Sequence, residues 1–247
     1  MSPYWVLLFL GVLQGLTEFL PVSSSAHLAV FQHILGFKGD RIFFDVLLHF
    51  STLLAVLVYF RKEIVRVFTD KRLLLMVVVA SVPTGAIGLL LKDFVERLLY
   101  FPRLVALFLL ITAFLVWMCD RLKGSQSLND VGLKVPFIAG IFQGLAVIPG
   151  ISRSGSTVFA LLLCGLKREE AASFSFVISI PAVLGATFLE LLKAPIAFKS
   201  AYIAPMVLAF LSGLLAIHLF VDFLKKRSFF VFSLYLVLFS LFVLVFG

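Results

Sequence analysis

Apolar segments separated by short basic loops recur along almost the whole of this 247-residue chain. Crossing a hydrocarbon core of roughly 30 Å takes about 20 apolar residues in a helix. Six stretches meet that requirement, at about 43–60, 73–91, 104–119, 171–191, 203–220 and 229–246. In lipid every backbone N–H and C=O must be satisfied within the segment, so each is predicted to be helical. Composition agrees: 62% of the residues are hydrophobic and only 14% charged, with a mean hydropathy of +1.15. A soluble domain is nearer half apolar and a quarter charged. The predicted class is therefore an all-α polytopic membrane protein, and a soluble enzyme is excluded.

Two more apolar segments are interrupted. Residues 4–20 run into Pro21-Val22-Ser23-Ser24-Ser25, and residues 135–148 run into Pro149-Gly150-Ile151-Ser152-Arg153-Ser154-Gly155-Ser156-Thr157. Each resumes as a short apolar stretch that ends by Leu35 or Cys164. Proline stops a helix and serine caps the next, and irregular backbone at membrane depth needs protein or a water-filled cavity around it. Both segments are read as re-entrant helix–break–helix hairpins, over 4–35 and 135–164; full spans with a kink are the alternative. At an offset of 129 residues, Gly11, Gln14, Gly15, Leu16, Ser23 and Ser25 match Gly140, Gln143, Gly144, Leu145, Ser152 and Ser154. Each copy continues into three spans, so the second must enter the membrane from the opposite side. The expectation is a single membrane domain built as an inverted-topology repeat, 1–122 and 132–247, with six full transmembrane helices plus two hairpins.

The formal net charge of +8 does not point to nucleic acid, because the basic residues sit in loops and form no basic helix or patch. They read as topology signals. With the first hairpin opening to one face, the opposite face collects thirteen basic residues, among them Arg61, Lys62, Arg66, Lys71, Arg72 and Lys225 to Arg227, against seven on the first face. The richer face is then cytoplasmic and both termini lie outside. The two cysteines, Cys119 and Cys164, end apolar runs and read as buried small hydrophobes. Glu63, Asp70, Glu169 and Glu170 read as helix-end residues.

Glu18 and Arg153 are the acidic and basic residues, histidines aside, inside the two interrupted segments. Each costs at least about 2.5 kcal/mol in hydrocarbon without a partner or water. If the hairpin tips meet, carboxylate, guanidinium and hydroxyls converge in one pocket; a purely structural ion pair is the plainer alternative. A surplus of polar groups at the same breaks favours a site: Gln14, Ser23, Ser24, Ser25, His27, Gln143, Ser152, Ser154, Ser156 and Thr157. Arg153 offers a planar fork suited to phosphate, and backbone N–H groups before a helix N-terminus suit an anion as well. His27, three residues after Ser24, is placed within reach of it across one turn as a general base. His33, His49 and His218 are expected to serve packing or hydrogen bonding. Gln14 and Glu18, four apart, share a helical face and are the tentative ligands of a hard divalent cation.

The segments Gln14-Gly-Leu-Thr-Glu18-Phe-Leu-Pro21-Val-Ser-Ser-Ser-Ala-His27 and Pro149-Gly-Ile-Ser-Arg153-Ser-Gly-Ser-Thr157 strongly resemble the two signatures of the bacterial undecaprenyl-diphosphatase, or bacitracin-resistance, family. The resemblance implies hydrolysis of undecaprenyl diphosphate to the monophosphate and inorganic phosphate, recycling the lipid carrier of cell-wall synthesis. It also implies dependence on a divalent cation, Mg²⁺ or Ca²⁺, a homodimer, and a site on the outer face of the cytoplasmic membrane. Carried over by position, it makes Glu18 the essential acid, Ser24 the nucleophile, His27 its neighbouring histidine and Arg153 the phosphate-binding arginine. It leaves Ser23, Ser25, Ser152, Ser154, Thr157 and Gln143 as further phosphate-binding candidates. Gln14 stands where the family carries Glu or Gln, which removes one possible charged metal ligand, and Ala26 replaces a frequent glycine. The rival class is a lipid transporter or flippase, since inverted repeats also build transporters; a structural scaffold is the third reading.

Overall fold

The computed structural model describes residues 3–99, 101–193, 198–226 and 228–246. Arg227 and the segment 194–197, both in loops used to assign the faces, lie outside the described residues. Among the described residues eleven α-helices follow one another: α1 (Tyr4–Phe19), α2 (Ser24–Ile34), α3 (Arg41–Tyr59), α4 (Arg61–Thr69), α5 (Lys71–Leu98), α6 (Pro102–Cys119), α7 (Lys134–Leu145), α8 (Arg153–Leu163), α9 (Arg168–Lys193), α10 (Ile203–Lys226) and α11 (Phe230–Phe246). Five segments are long and apolar enough to cross a membrane: Arg41–Tyr59, Lys71–Leu98, Pro102–Cys119, Arg168–Leu189 and Ser200–Phe223. The sixth expected span, α11, has 17 residues and rises roughly 26 Å at 1.5 Å per residue. Helix α4 occupies what sequence reading left as a loop; its low hydropathy hid it. Large apolar side chains such as Phe68, Leu90 and Phe188 stay exposed on the outer faces, where lipid rather than water is a suitable neighbour.

The two interrupted segments form paired short helices. At 11 to 16 residues each, α1, α2, α7 and α8 rise about 16–24 Å, less than the hydrocarbon core. Helix α1 ends because Leu20, preceding Pro21, is extended (ψ 147°), the conformation a following proline imposes. Ser23 then takes a left-handed conformation at φ 66°, the only described non-glycine residue to do so, which costs about 1–3 kcal/mol that the surroundings must hold. Helix α7 ends in turns that pass through Gly150 at φ 100°. A Cβ there would lie 2.5 Å from the Val105 carbonyl oxygen of α6, so only glycine fits. Ser152 caps α8, its hydroxyl accepting from Gly155 N at 3.1 Å, as expected of an N-cap serine.

Helix packing is reciprocal. α1 lies along α10 while α7 lies along α5, α6 pairs with α11, and α3 meets α9 near the centre. Close approach depends on small residues: a Cβ on Gly11 would lie 2.3 Å from the Pro205 oxygen of α10, and one on Gly140 2.1 Å from the Ala80 oxygen of α5. Small hydroxyls tie the helices across these seams. Ser240 and Ser233 of α11 donate to Ala106 O and Ala113 O of α6 at 2.7 and 2.9 Å, and Thr84 of α5 donates to Gly140 O at 2.9 Å. Phe19, Phe60, Phe176 and Phe220 stack edge-on or tilted in the interior. Both α5 and α9 carry an internal proline, Pro83 and Pro181.

Asp120, just past α6, organises one end of the bundle. It accepts from Phe229 N and Phe230 N at the start of α11, both at 3.0 Å, and from Ser228 Oγ. It also pairs with Arg168 at 3.1 Å. Burial pushes its carboxyl up, but these hydrogen bonds and the guanidinium outweigh that and hold it below its ordinary range. Asp70 caps α5 through Arg72 N and Leu73 N, the helix-end role expected of it.

Candidate active site

The breaks in the two helix pairs meet. Ser23 Oγ accepts from Gly150 N at 3.2 Å, and Ser154 Oγ donates to Leu20 O at 3.0 Å, so each break holds the backbone of the other. Thr112 of α6 splints the second break, donating to Gly150 O at 2.6 Å and accepting from Ser152 N at 3.0 Å. These ties place Glu18 and Arg153 side by side although 135 residues separate them: Arg153 Nη2 donates to Glu18 Oε1 at 2.5 Å. Glu18 is 8% exposed.

The other carboxylate oxygen is the focus of the polar cluster. Ser24 Oγ donates to Glu18 Oε2 at 2.6 Å and Gln14 Nε2 at 3.0 Å. His49 Nε2 stands 3.4 Å from the same oxygen, with its Nδ1 donating to Asp45 O at 2.8 Å. The Arg153 Nη1 group is buried and has no partner. A guanidinium with one amino group on a carboxylate and the other unpartnered has donors that a small shift of the side chain would turn toward a phosphate oxygen. The N-termini of α2 and α8 reach the same place, and their partial positive ends add to its attraction for an anion.

A cavity of about 520 Å³ opens from this cluster. Its polar end is lined by Glu18, Ser23, Ser24, Ser25, Asp45, His49, Gln143, Ser152 and Arg153. Its walls along α5 and α9 are mostly small or apolar, including Gly85, Gly88, Ala182, Gly185 and Leu189, with Ser81, Thr84, Lys92, Glu96, Ser179 and Thr187 among them. A charged head with an apolar tail matches that division.

The structure brings some of the residues singled out in the sequence together and leaves others apart. Glu18, Ser24 and Arg153 come together as expected. Ser23, Ser25, Ser152 and Gln143 line the cavity, while Ser154 and Thr157 do not. Ser154 holds Leu20 O, and Thr157 Oγ1 bonds back to Arg153 O at 2.7 Å and contacts Ser175; both hydroxyls are used in packing. His27 is not at Ser24. Its Nδ1 donates to Ser23 O at 2.8 Å and its Nε2 meets Tyr235 Oη of α11 at 2.6 Å. Spacing on α2 permitted a contact with Ser24, but α11 supplies the better partner. The histidine beside Glu18 is His49, which had been left to packing, and the second carboxylate of the cavity is Asp45, whose Oδ1 accepts from Gln32 at 2.5 Å. Two ionisable residues four apart inside an apolar span were the available signal.

The donor set for a divalent cation is sparse. Among the described residues no three of His, Cys, Asp and Glu are grouped to hold a metal ion, and both Glu18 oxygens already accept hydrogen bonds. The buried Oε1 of Gln14 has no hydrogen-bond partner, so it is an oxygen not already committed to another group. A hard divalent cation takes six or more oxygens, so the residues present fit one only as part of a site completed by phosphate oxygens.

A polytopic helical membrane protein with a buried serine–carboxylate pair and a half-engaged arginine at the mouth of an amphipathic cavity is the class these features define. The chain belongs to the bacitracin resistance protein BacA family, whose model matches residues 7–242. It is 43% identical to a protein of Syntrophotalea carbinolica named undecaprenyl-diphosphatase, over 92% of this chain and 93% of that one. Relatives of the same name in Alkaliphilus metalliredigens and Carboxydothermus hydrogenoformans are 40% and 39% identical, covering 92% and 96% of this chain and 93% and 95% of theirs.

Proposed function

We infer that this protein hydrolyses undecaprenyl diphosphate to undecaprenyl phosphate and inorganic phosphate. The observation that carries the inference is the arrangement at Glu18: one carboxylate takes Ser24 Oγ–H on one oxygen and Arg153 on the other, and the guanidinium keeps a free amino group. Arg153 and the two helix N-termini bind the terminal phosphate and stabilise charge as it develops. In the simplest sequence, Ser24 Oγ passes its proton to Glu18 and attacks the terminal phosphorus. A bond from Oγ to phosphorus forms, the bridging phosphoanhydride bond breaks, and undecaprenyl phosphate leaves with the bridging oxygen. Water then releases the phosphate from the serine. In the alternative, Glu18 and Ser24 orient a water for direct attack. Positioning and charge stabilisation supply most of the rate in either case.

Mg²⁺ or Ca²⁺ belongs to this reading as an ion that Glu18 and Gln14 would help to hold, and it would neutralise phosphate charge. The finer architecture is likewise proposed. One re-entrant hairpin and three spans form each half, 1–122 and 132–247, in opposite orientation. The reciprocal seating of α1 on α10 and α7 on α5, with Gly11 and Gly140 at equivalent contacts, supports that repeat. The cavity is lined by the start of α3 and the ends of α5 and α9, the ends that the charge bias assigns to the outer face of the cytoplasmic membrane. A homodimer completes the reading. A transporter would need the cavity but has no use for a serine hydroxyl held on a carboxylate. The test is phosphate release from undecaprenyl diphosphate by detergent-purified protein with Mg²⁺ or Ca²⁺ against EDTA. Cation-dependent turnover is expected; folded protein with no turnover in detergent or nanodiscs would leave transport as the account.

A further inference from the structure

We propose that His27 is a positioning residue rather than the base, and that it acts as one unit with Tyr235 to aim the Ser24 hydroxyl. The imidazole is 1% exposed and does not line the cavity. Its face lies on Phe239, with ring centroids 4.1 Å apart and planes 7° from parallel, and it also stacks with Tyr235. Both ring nitrogens are committed. Ser23 O can only accept, so Nδ1 carries a hydrogen, and Nε2 is then free to accept from the Tyr235 hydroxyl at 2.6 Å. A base must lie within hydrogen-bond reach of the proton it removes, directly or through one water. The group that meets this condition at Ser24 is Glu18, at 2.6 Å.

What His27 holds is the peptide that sets the direction of Ser24. Ser23 is the left-handed residue of the first break. Its carbonyl takes both the His27 ring, at 2.8 Å, and the His27 backbone N–H, at 3.2 Å, while its hydroxyl takes Gly150 N from the second break. With the carbonyl fixed, the Ser23–Ser24 peptide cannot rotate, and Ser24 Oγ stays on Glu18. Tyr235, from the last helix, keeps the imidazole from swinging away. The reaction therefore depends on a tyrosine far in sequence from every catalytic group, through a histidine that touches neither substrate nor nucleophile.

The proposal is tested with H27A, H27Q, Y235F and the H27A/Y235F pair, assayed for kcat, KM and the pH dependence of kcat on undecaprenyl diphosphate. A misaligned nucleophile costs kcat about 10²-fold, so H27A should fall by that order with KM nearly unchanged. Glutamine offers a donor for Ser23 O and an acceptor for Tyr235, so H27Q should regain most of the loss and keep the pH profile of the parent. Y235F should lower kcat alone by roughly tenfold and add nothing further in H27A. If H27Q is as inactive as H27A while Y235F is fully active, His27 does chemistry itself and the proposal fails. Full activity in both H27A and Y235F would overturn it equally. Should H27A not fold, H27Q and Y235F decide the matter alone.

Discussion

Glu18 holds three kinds of group on two oxygens: a guanidinium, a serine hydroxyl and an amide, with an imidazole close by. In the reaction proposed above, its value would lie in doing so at a largely buried position, where each contact is stronger than in water. Lysine in place of Arg153 would keep the charge but lose the fork that serves Glu18 and phosphate together. R153K is expected to lower kcat/KM roughly 10²-fold or more, measured by phosphate release at several substrate concentrations; a near-normal value would mean that only charge matters there. His49 is the residue-scale surprise. With Nδ1 donating to Asp45 O, Nε2 can donate to Glu18 Oε2, 3.4 Å away, only as an imidazolium; loss of that ion pair in H49A should reduce kcat/KM by up to about tenfold. Unchanged kinetics would return His49 to a packing role.

At the scale of elements, the cavity walls are made by helices that carry glycine where nothing presses against it. Gly85 of α5 and Gly185 of α9 line the cavity, and a Cβ at either would meet no atom within 4 Å. Glycine inside a helix costs about 1 kcal/mol relative to alanine, so the open space has a use, and passage of an isoprenoid chain is one. Leucine at both positions should slow hydrolysis of undecaprenyl diphosphate at least about tenfold while farnesyl diphosphate keeps its rate; equal effects on the two substrates would contradict that. Asp120 joins α6, α9 and α11 by a different kind of contact. Its folded pKa is lowered, so its contribution is complete above the ordinary value of 3.8 and disappears as pH falls through the lower folded value. D120A should cost about 1–2 kcal/mol near neutral pH, seen in thermal unfolding, with the gap to the parent protein closing in acid. Most of these elements were readable, because hydropathy marks a span by itself. Helix α4 was not, since its pattern is polar, and the partner of His27 was not, since local spacing on α2 says nothing about a side chain arriving from α11.

For the whole molecule, the decisive event is the meeting of two breaks that lie far apart in the chain. Motif residues Glu18, Ser24 and Arg153 were legible because ionisable and hydroxyl groups stand out against an apolar background. Their convergence was an expectation drawn from the repeat, and the tertiary ties that bring it about, Ser23 to Gly150 and Ser154 to Leu20, follow from backbone geometry that no spacing rule encodes. His49 and Asp45 lie inside a segment whose hydropathy is satisfied by its being a span, so only their ionisable character four residues apart marks them out. The same geometry separates the cavity-lining hydroxyls from those of Ser154 and Thr157, which are used in packing. The most direct test of this convergence is phosphate release from undecaprenyl diphosphate by folded E18A and R153A beside the parent protein, all purified in one detergent with one cation. The account predicts that either substitution, one from each break, abolishes release to the same background. Full turnover in either variant would contradict a shared active site.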